Sequence, residues 1–302
     1  MVETRFKHRQ CWRPNRLMKT NLVDLDALIA NANELTALPQ STVRLAALVG
    51  AKQENVAEVV EVVSFDPALT FKLIRAANSA ATGGLQAVTT VKDAVTRLGT
   101  AQVFALAVAS SVRPHMHKNI PEYGFTDGEF WRHSVAAAVA TEVAGSFCKT
   151  PIPREAFTAA LLHDIGKLIM ARFLSTDILE LLGSARKDGA LGALEAETKV
   201  LTVHHGELGG IIAQHWQFPE AIVKGIIHHH TPEIGDDPIC DTVSLANVVA
   251  KKSEAKMAGK TLDIMPDPGV MERMGLNPED FDKLCAAAAE RFEKVRTRYN
   301  VK

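Results

Sequence analysis

The stretch Leu161-Leu162-His163-Asp164-Ile165-Gly166-Lys167 is the most informative part of this sequence. Its apolar residues are typical of a buried helix, and it places a histidine directly before an aspartate. Neighbouring side chains on a helix diverge by about 100°, so the two share a site only if something sits between them. A divalent metal ion satisfies both, because imidazole and carboxylate are both metal ligands. Lys167, four residues after His163, can place a cation over the same site for a phosphate oxygen.

Asp164 and Lys167 are therefore candidate catalytic residues, and His163 and Asp164 are candidate metal ligands. The alternative is a buried hydrogen bond between His163 and Asp164, with the lysine outside it. The other histidines favour the metal, since eight of the 11 in the chain lie between positions 133 and 230. Four successive segments each offer histidine, and such a set is costly to bury without partners. These segments contain Glu129 with His133, His163 with Asp164, the pair 204–205, and the triplet 228–230.

The composition restricts the class of protein. The chain has 302 residues, a formal net charge of -1, 47% hydrophobic residues and 6% aromatic residues. These values suit a globular protein and exclude an overall basic nucleic-acid binder, and we expect no nucleic-acid surface. No run of 18 apolar residues is present, and the basic N-terminus lacks an apolar stretch after its charges, so we expect no membrane association and a cytoplasmic location. The four cysteines are too dispersed for a CxxC pair.

The hydrophobic pattern is helical along almost the whole chain, and no alternating stretch is long enough to predict a sheet. We predict an all-α fold of two helical lobes with a C-terminal helical extension that docks on the domain or on a second subunit. Asn55 and Asp66 are predicted helix N-caps, and one helix is predicted over 153–173. Phe65, Phe71, Leu73 and Ile74 are predicted core residues. The predicted divisions are a flexible tail (1–20), an N-terminal lobe (21–115), a second lobe with the metal site (120–258) and the extension (259–302).

Several spaced motifs resemble a known family. In the first lobe these are Leu38-Pro39, the segment 65–79 (FDPALTFKLIRAANS) and the segment 91–99 (VKDAVTRLG). In the second lobe they are 130–134 (FWRHS), 205–209 (HGELG), 216–219 (WQFP) and His229-His230. Together they resemble the HDOD domain, an all-α regulatory module of the HD superfamily that is related to the HD-GYP phosphohydrolases. The resemblance covers about residues 22 to 258.

The resemblance also implies roles for individual residues. By position, the metal ligands of the HD-GYP relatives match Glu129, His133, His163, Asp164, His205, His229 and His230, and their neighbouring lysine matches Lys167. The last ligand of those relatives, an aspartate, falls at Asn247. An amide offers a neutral oxygen in place of a carboxylate, which weakens the site. The chain also lacks a Gly-Tyr-Pro loop, since His230 is followed by Thr231-Pro232-Glu233.

Two functions are compatible with these residues and with the resemblance. The first is a signalling or regulatory HDOD protein that retains an HD-type metal site, with protein partners and a phosphorylated or nucleotide ligand. The second is a metal-dependent phosphohydrolase that uses the His/Asp cluster. A mostly imidazole site suits one or two ions of Fe, Mn, Ni or Zn, and Asp164 can bridge two. We expect one ion, because Asn247 supplies no charge to offset a second.

Overall fold

Helices make up the architecture. The computed structural model describes residues 38–50, 55–78, 87–116, 120–126, 128–188 and 192–299, and the predicted tail (1–20) lies outside these ranges. The described residues contain no strand, only an isolated bridge between Ile120 and Phe125. The prediction of an all-α fold is confirmed.

In the described part of the N-terminal lobe there are five helices: α1 (Gln40–Val49), α2 (Val56–Ser64), α3 (Pro67–Ala77), α4 (Val91–Leu98) and α5 (Thr100–Met116). Two begin at the predicted caps: the side chain of Asn55 accepts a hydrogen bond from the Glu58 amide, and that of Asp66 accepts one from the Leu69 amide. Among the described residues no single helix combines the length and apolar character needed to cross a membrane. Helices α4 and α5 pass that test only as a pair, across a bend of 104°.

The second lobe supplies the site. Its helices are α6 (Glu129–Ala144), α7 (Ala156–Leu162), α8 (Ile165–Phe173), α9 (Thr176–Asp188), α10 (Ala193–Leu201), α11 (His205–His215), α12 (Glu220–Ile227), α13 (Pro232–Gly235) and α14 (Pro238–Met257). A short 3-10 helix, Pro121–Tyr123, connects the two lobes. Helix α6 lies in the centre of this lobe and packs against α7 and α14. Helix α11 packs against α8 and α12, which brings the histidine-bearing segments together.

The C-terminal extension consists of α15 (Pro268–Met274) and α16 (Pro278–Tyr299). Helix α16 packs on α6 and α14 of its own chain, with Phe281 and Phe292 buried. An ion pair between Arg273 and Asp241, with 2.6 Å between the nearest nitrogen and oxygen, joins α15 to α14. Of the two predicted docking partners, the structure therefore has the extension on the domain itself.

One hydrophobic core runs through both lobes and the extension, from Leu45 to Phe292. Leu73 is buried in it and Ile74 is partly buried. The prediction of core positions for Phe65 and Phe71 is wrong, because 82% and 67% of these residues is exposed. Helix α3 buries Leu69, Leu73 and Ala77, which lie on the opposite side of the helix from position 71.

Candidate metal centre

The His163-Asp164 pair lies at a junction between two helices. Helix α7 ends at Leu162 and α8 begins at Ile165, so the single helix predicted over 153–173 is interrupted. Asp164 has φ -98° and ψ 6°, outside the helical region, and acts as the N-cap residue of α8. This break turns the chain, so both side chains can face one site, which neighbouring positions in an unbroken helix could not do.

A glycine allows the next histidine to come close. A side-chain carbon at Gly166 would overlap the carbonyl oxygen of His205, so only glycine permits α8 to lie directly against the start of α11. The imidazole Nε2 of His205 consequently lies 3.2 Å from Oδ1 of Asp164. The glycine that follows the His163-Asp164 pair thus has a packing role.

Among the residues that the structure describes, two groups of side chains could each hold a metal ion. The His133 group consists of His133, His163 and Asp164, and the His205 group consists of His205, His229 and His230. In each group the ligand atoms lie within 4.8 Å of one another. All six residues are buried except His230, which is partly exposed.

Asp164 connects the two groups. Its Oδ2 lies 3.5 Å from Nε2 of His163 and 3.7 Å from Nε2 of His133. Its Oδ1 lies 3.2 Å from Nε2 of His205 and 3.7 Å from Nε2 of His229. One carboxylate oxygen therefore faces each group, as a bridging ligand between two ions would.

Hydrogen bonds fix which nitrogen of four histidines faces inward. Nδ1 of His163 donates to the Ala160 carbonyl and Nδ1 of His229 donates to the Ile226 carbonyl, both at 2.7 Å, because a carbonyl oxygen can only accept. Nδ1 of His133 and of His205 are bonded in the same way to the carboxylates of Glu254 (2.9 Å) and Glu197 (2.7 Å). In each neutral ring the Nε2 lone pair then points toward Asp164. Metal-binding histidines are held in this way by their outer partners.

Three histidines of the cluster are neutral. Burial lowers the pKa of His163 to about 3 and that of His230 to about 2, and it also places the pKa of His229 well below 6.5. Burial opposes ionisation of Asp164, but the ammonium of Lys167 in contact with it outweighs burial and holds the pKa of the carboxyl well below 3.8. The centre therefore combines an anionic carboxylate with three neutral imidazoles, those of His163, His229 and His230, which is the charge state that a metal ion requires of its ligands.

Two observations indicate that the residues fit a cation. Nε2 of His163 and Oδ1 of Asp164 are buried and have no hydrogen-bond partner. Nε2 of His205 lies 3.3 Å from Nε2 of His229, and the outer hydrogen bonds of both rings leave a lone pair on each of these two atoms. Lone pairs that face each other at such distances repel unless a proton or a metal ion lies between them. Imidazole nitrogen with carboxylate oxygen is a donor set for Zn, Fe, Mn or Ni.

The remaining predicted site residues lie at the edge of the two groups or outside them. Nζ of Lys167 donates to Oδ2 of Asp164 at 2.6 Å and is partly buried, so the lysine contacts the cluster directly. Glu129 belongs to neither group: its carboxylate accepts from the Thr126 amide (2.7 Å) and pairs with Arg132 (3.1 Å). Asn247 on α14 also belongs to neither group, but it is buried and its Oδ1 accepts no hydrogen bond.

Three residues of the site were not predicted. Glu197 is 1% exposed, and one of its oxygens accepts from both the amide and Nδ1 of His205, while the other accepts from the Tyr123 hydroxyl at 2.7 Å. Glu254 lies seven residues after Asn247 on α14, so helical periodicity could have placed it on the same face. No local signal marks Tyr123, which belongs to the connection between the lobes.

Comparisons with known proteins agree with this fold. The model of the HDOD domain family matches residues 35–232. A protein of Shewanella amazonensis SB2B described as "Putative phosphohydrolase" is 26% identical, with a TM-score of 0.63 over 88% of this chain and 96% of that one. An HDOD domain protein of unknown function from Geobacter sulfurreducens (18% identity, TM-score 0.63, 90% and 98% covered) shares the fold. A protein of Marinobacter aquaeolei VT8 described as "Putative signal transduction protein" also shares the fold (18% identity, TM-score 0.66, 94% of this chain and 67% of that one covered).

An uncharacterized protein of Treponema pallidum (strain Nichols) is 21% identical over 238 residues, which are 78% of this chain and 46% of that protein. The chain thus spans about half the length of this relative. The family match, the helical fold and the ordered motifs define the class of protein. This chain belongs to the HDOD domain family.

Proposed function

We propose that this protein is a signalling or regulatory HDOD protein that binds a divalent transition metal ion in its His/Asp cluster. One observation carries the proposal: Nε2 of His163 and Oδ1 of Asp164 are buried without partners at the point where the two groups meet. His133, His163, Asp164, His205, His229 and His230 would hold Fe, Mn, Ni or Zn. When bound, such an ion would act as a Lewis acid and would stabilise the native fold.

The burial of the cluster favours a regulatory role over hydrolysis. Exposure is 2% or less for His133, His163, Asp164, His205 and His229. A phosphoester must reach its metal ion, and these side chains are covered. The ammonium of Lys167 donates its hydrogen bond to Asp164, so it is not free to bind an oxygen of a substrate. Protein partners and a phosphorylated or nucleotide ligand are part of this proposal.

The proposal predicts that purified protein contains metal and depends on it for stability. The His163→Ala variant should lose most of the metal, because it removes a buried ligand. A ligand present at a thousand times its Kd stabilises the native state by about 4 kcal/mol, so chelation should lower Tm by about 8 °C. Metal content by elemental analysis and melting with and without EDTA are the measurements.

His215→Ala is the matched control, since His215 lies at the exposed end of α11, the helix that begins with His205. It should retain its metal and its response to EDTA. If wild type and His163→Ala both contain only traces of metal, and EDTA leaves melting unchanged, the histidines are ordinary buried residues and the proposal is wrong.

A metal-dependent phosphohydrolase is the second candidate. Its support is the similarity to the Shewanella amazonensis protein described as "Putative phosphohydrolase", together with a lysine at the carboxylate. In this function Asp164 and Lys167 would be catalytic: the carboxylate would orient the attacking water, and the ammonium would hold the phosphate oxygens.

The Asn247→Asp variant tests this candidate. A carboxylate restores the ligand that HD-GYP relatives have, and we expect metal affinity to rise about tenfold. The rate at which the variant hydrolyses bis(p-nitrophenyl) phosphate should rise together with this affinity, from a low rate in wild type. Without metal the variant should melt below wild type, because an unpaired carboxylate is buried there. Asn55→Asp, at an exposed N-cap, is the control. Rapid hydrolysis by wild type would favour the enzyme over the regulatory protein.

A further inference from the structure

The two oxygens of Asp164 are not equivalent. Oδ2, which faces His133 and His163, accepts a hydrogen bond from the ammonium of Lys167 at 2.6 Å. Oδ1, which faces His205 and His229, is buried and accepts none. The first oxygen is therefore already paired with a cation, whereas the second is free to contact a metal ion.

The two groups also differ in how firmly their histidines are held. Glu197, which orients His205, is 1% exposed. One of its oxygens accepts hydrogen bonds from His205, and the other accepts one from Tyr123. Glu254, which orients His133, has a side chain that is 23% exposed. Water screens the interaction of Glu254 with its histidine, whereas the bond between Glu197 and His205 is buried and is screened much less. A firmly oriented histidine is the better metal ligand.

We propose that the cluster binds metal in a fixed order and that Lys167 controls the second step. The His205 group and Oδ1 of Asp164 hold the first ion with three imidazoles and one carboxylate oxygen, the four ligands that zinc prefers. The ammonium of Lys167 occupies the place of a second ion at Oδ2, so the His133 group fills only when the lysine moves away. This inference rests on the proposed metal binding.

Titration of the chelator-stripped full chain with Co²⁺ tests the order. Visible absorption and equilibrium dialysis count the ions bound. Wild type should bind one equivalent, and its affinity for a second should be at least about tenfold lower. A change of this size is typical when a group in contact with a metal ligand is altered. Lys167→Met removes the ammonium and should bind two equivalents, and Lys167→Gln should do the same. Lys251→Met is the matched control: it removes an exposed charge beside the cluster and should still bind one.

Two further variants separate the groups. Glu197→Gln should weaken the first equivalent about 10- to 100-fold, whereas Glu254→Gln should weaken only the second. Glu195→Gln, an exposed position on α10, should change neither.

The outcomes distinguish this inference from the proposed function. No Co²⁺ binding by wild type would overturn both. Two equal equivalents in wild type, or one equivalent in both Lys167 variants, would overturn the ordered filling and leave metal binding intact. Binding of two equivalents by Lys251→Met would also overturn the ordered filling. The positive charge near the cluster, and not the contact of Lys167 with Asp164, would then be what weakens binding of the second ion.

Discussion

Replacing Gly166 by alanine should destabilise the protein by about 3 kcal/mol, the upper end of what overpacking a core usually costs. Alanine alone would favour a helix by about 1 kcal/mol over glycine. Here, however, its Cβ would overlap the carbonyl oxygen of His205, and a backbone atom cannot rotate away. Helices α8 and α11 must separate to admit the methyl group. That movement also withdraws His205 from Asp164, so metal binding should be lost together with stability.

Gly183→Ala is the matched control for this prediction. Gly183 lies inside α9, and a Cβ there would contact nothing within 4 Å. The same substitution should therefore stabilise the protein by up to about 1 kcal/mol. Urea unfolding followed by circular dichroism compares the two variants. Equal stability of Gly166→Ala and wild type would show that α8 and α11 do not need this close approach.

Much of the fold and of the candidate ligand set could be predicted from the sequence. The signals were local: Asn55 and Asp66 with the residues after them define helix starts, and the histidines stand out because imidazole is rarely buried in such numbers. The ordered motifs then identified the family. These signals do not depend on contacts between distant parts of the chain.

The rest required the three-dimensional structure. The break at Asp164 follows apolar residues without a proline or glycine before it, so the helical pattern continues through the junction and hides it. Tyr123 and Glu197 meet across 74 positions of sequence, and no spacing rule connects them. Phe71 is a different case. It lies two residues from both Leu69 and Leu73, about 200° around the helix, so the periodicity that buries the leucines turns the phenylalanine outward.

Lowering the pH should destabilise the protein after EDTA has removed its metal, because three histidines of the cluster resist protonation in the native state. Burial lowers the pKa of His163 to about 3 and of His230 to about 2, and that of His229 lies well below its unfolded value of 6.5. Below pH 6.5 the unfolded chain binds protons that the folded chain does not, so the free energy of unfolding falls as the pH falls. The pKa values of His204 and His228 are also lowered by burial and act in the same direction.

The size of the effect follows from the number of protons. Each of the three cluster histidines contributes about 1.4 kcal/mol per pH unit below pH 6.5, which is about 2 kcal/mol between pH 7 and pH 5 and about 6 kcal/mol for the three. The lowered pKa of Asp164 adds nothing in this window, because its contribution is lost only below its unfolded value of 3.8. Urea unfolding in EDTA at pH 7, 6 and 5 measures the slope.

His163→Asn separates this effect from general acid denaturation. Its amide can still donate to the Ala160 carbonyl but does not titrate, so the slope should fall by about one proton. His215→Ala removes an exposed histidine and should leave the slope unchanged. If wild type takes up less than one proton on unfolding between pH 6.5 and pH 5, the histidines are already protonated in the folded chain. In that case a proton, and not a metal ion, would relieve the repulsion between the Nε2 atoms of His205 and His229.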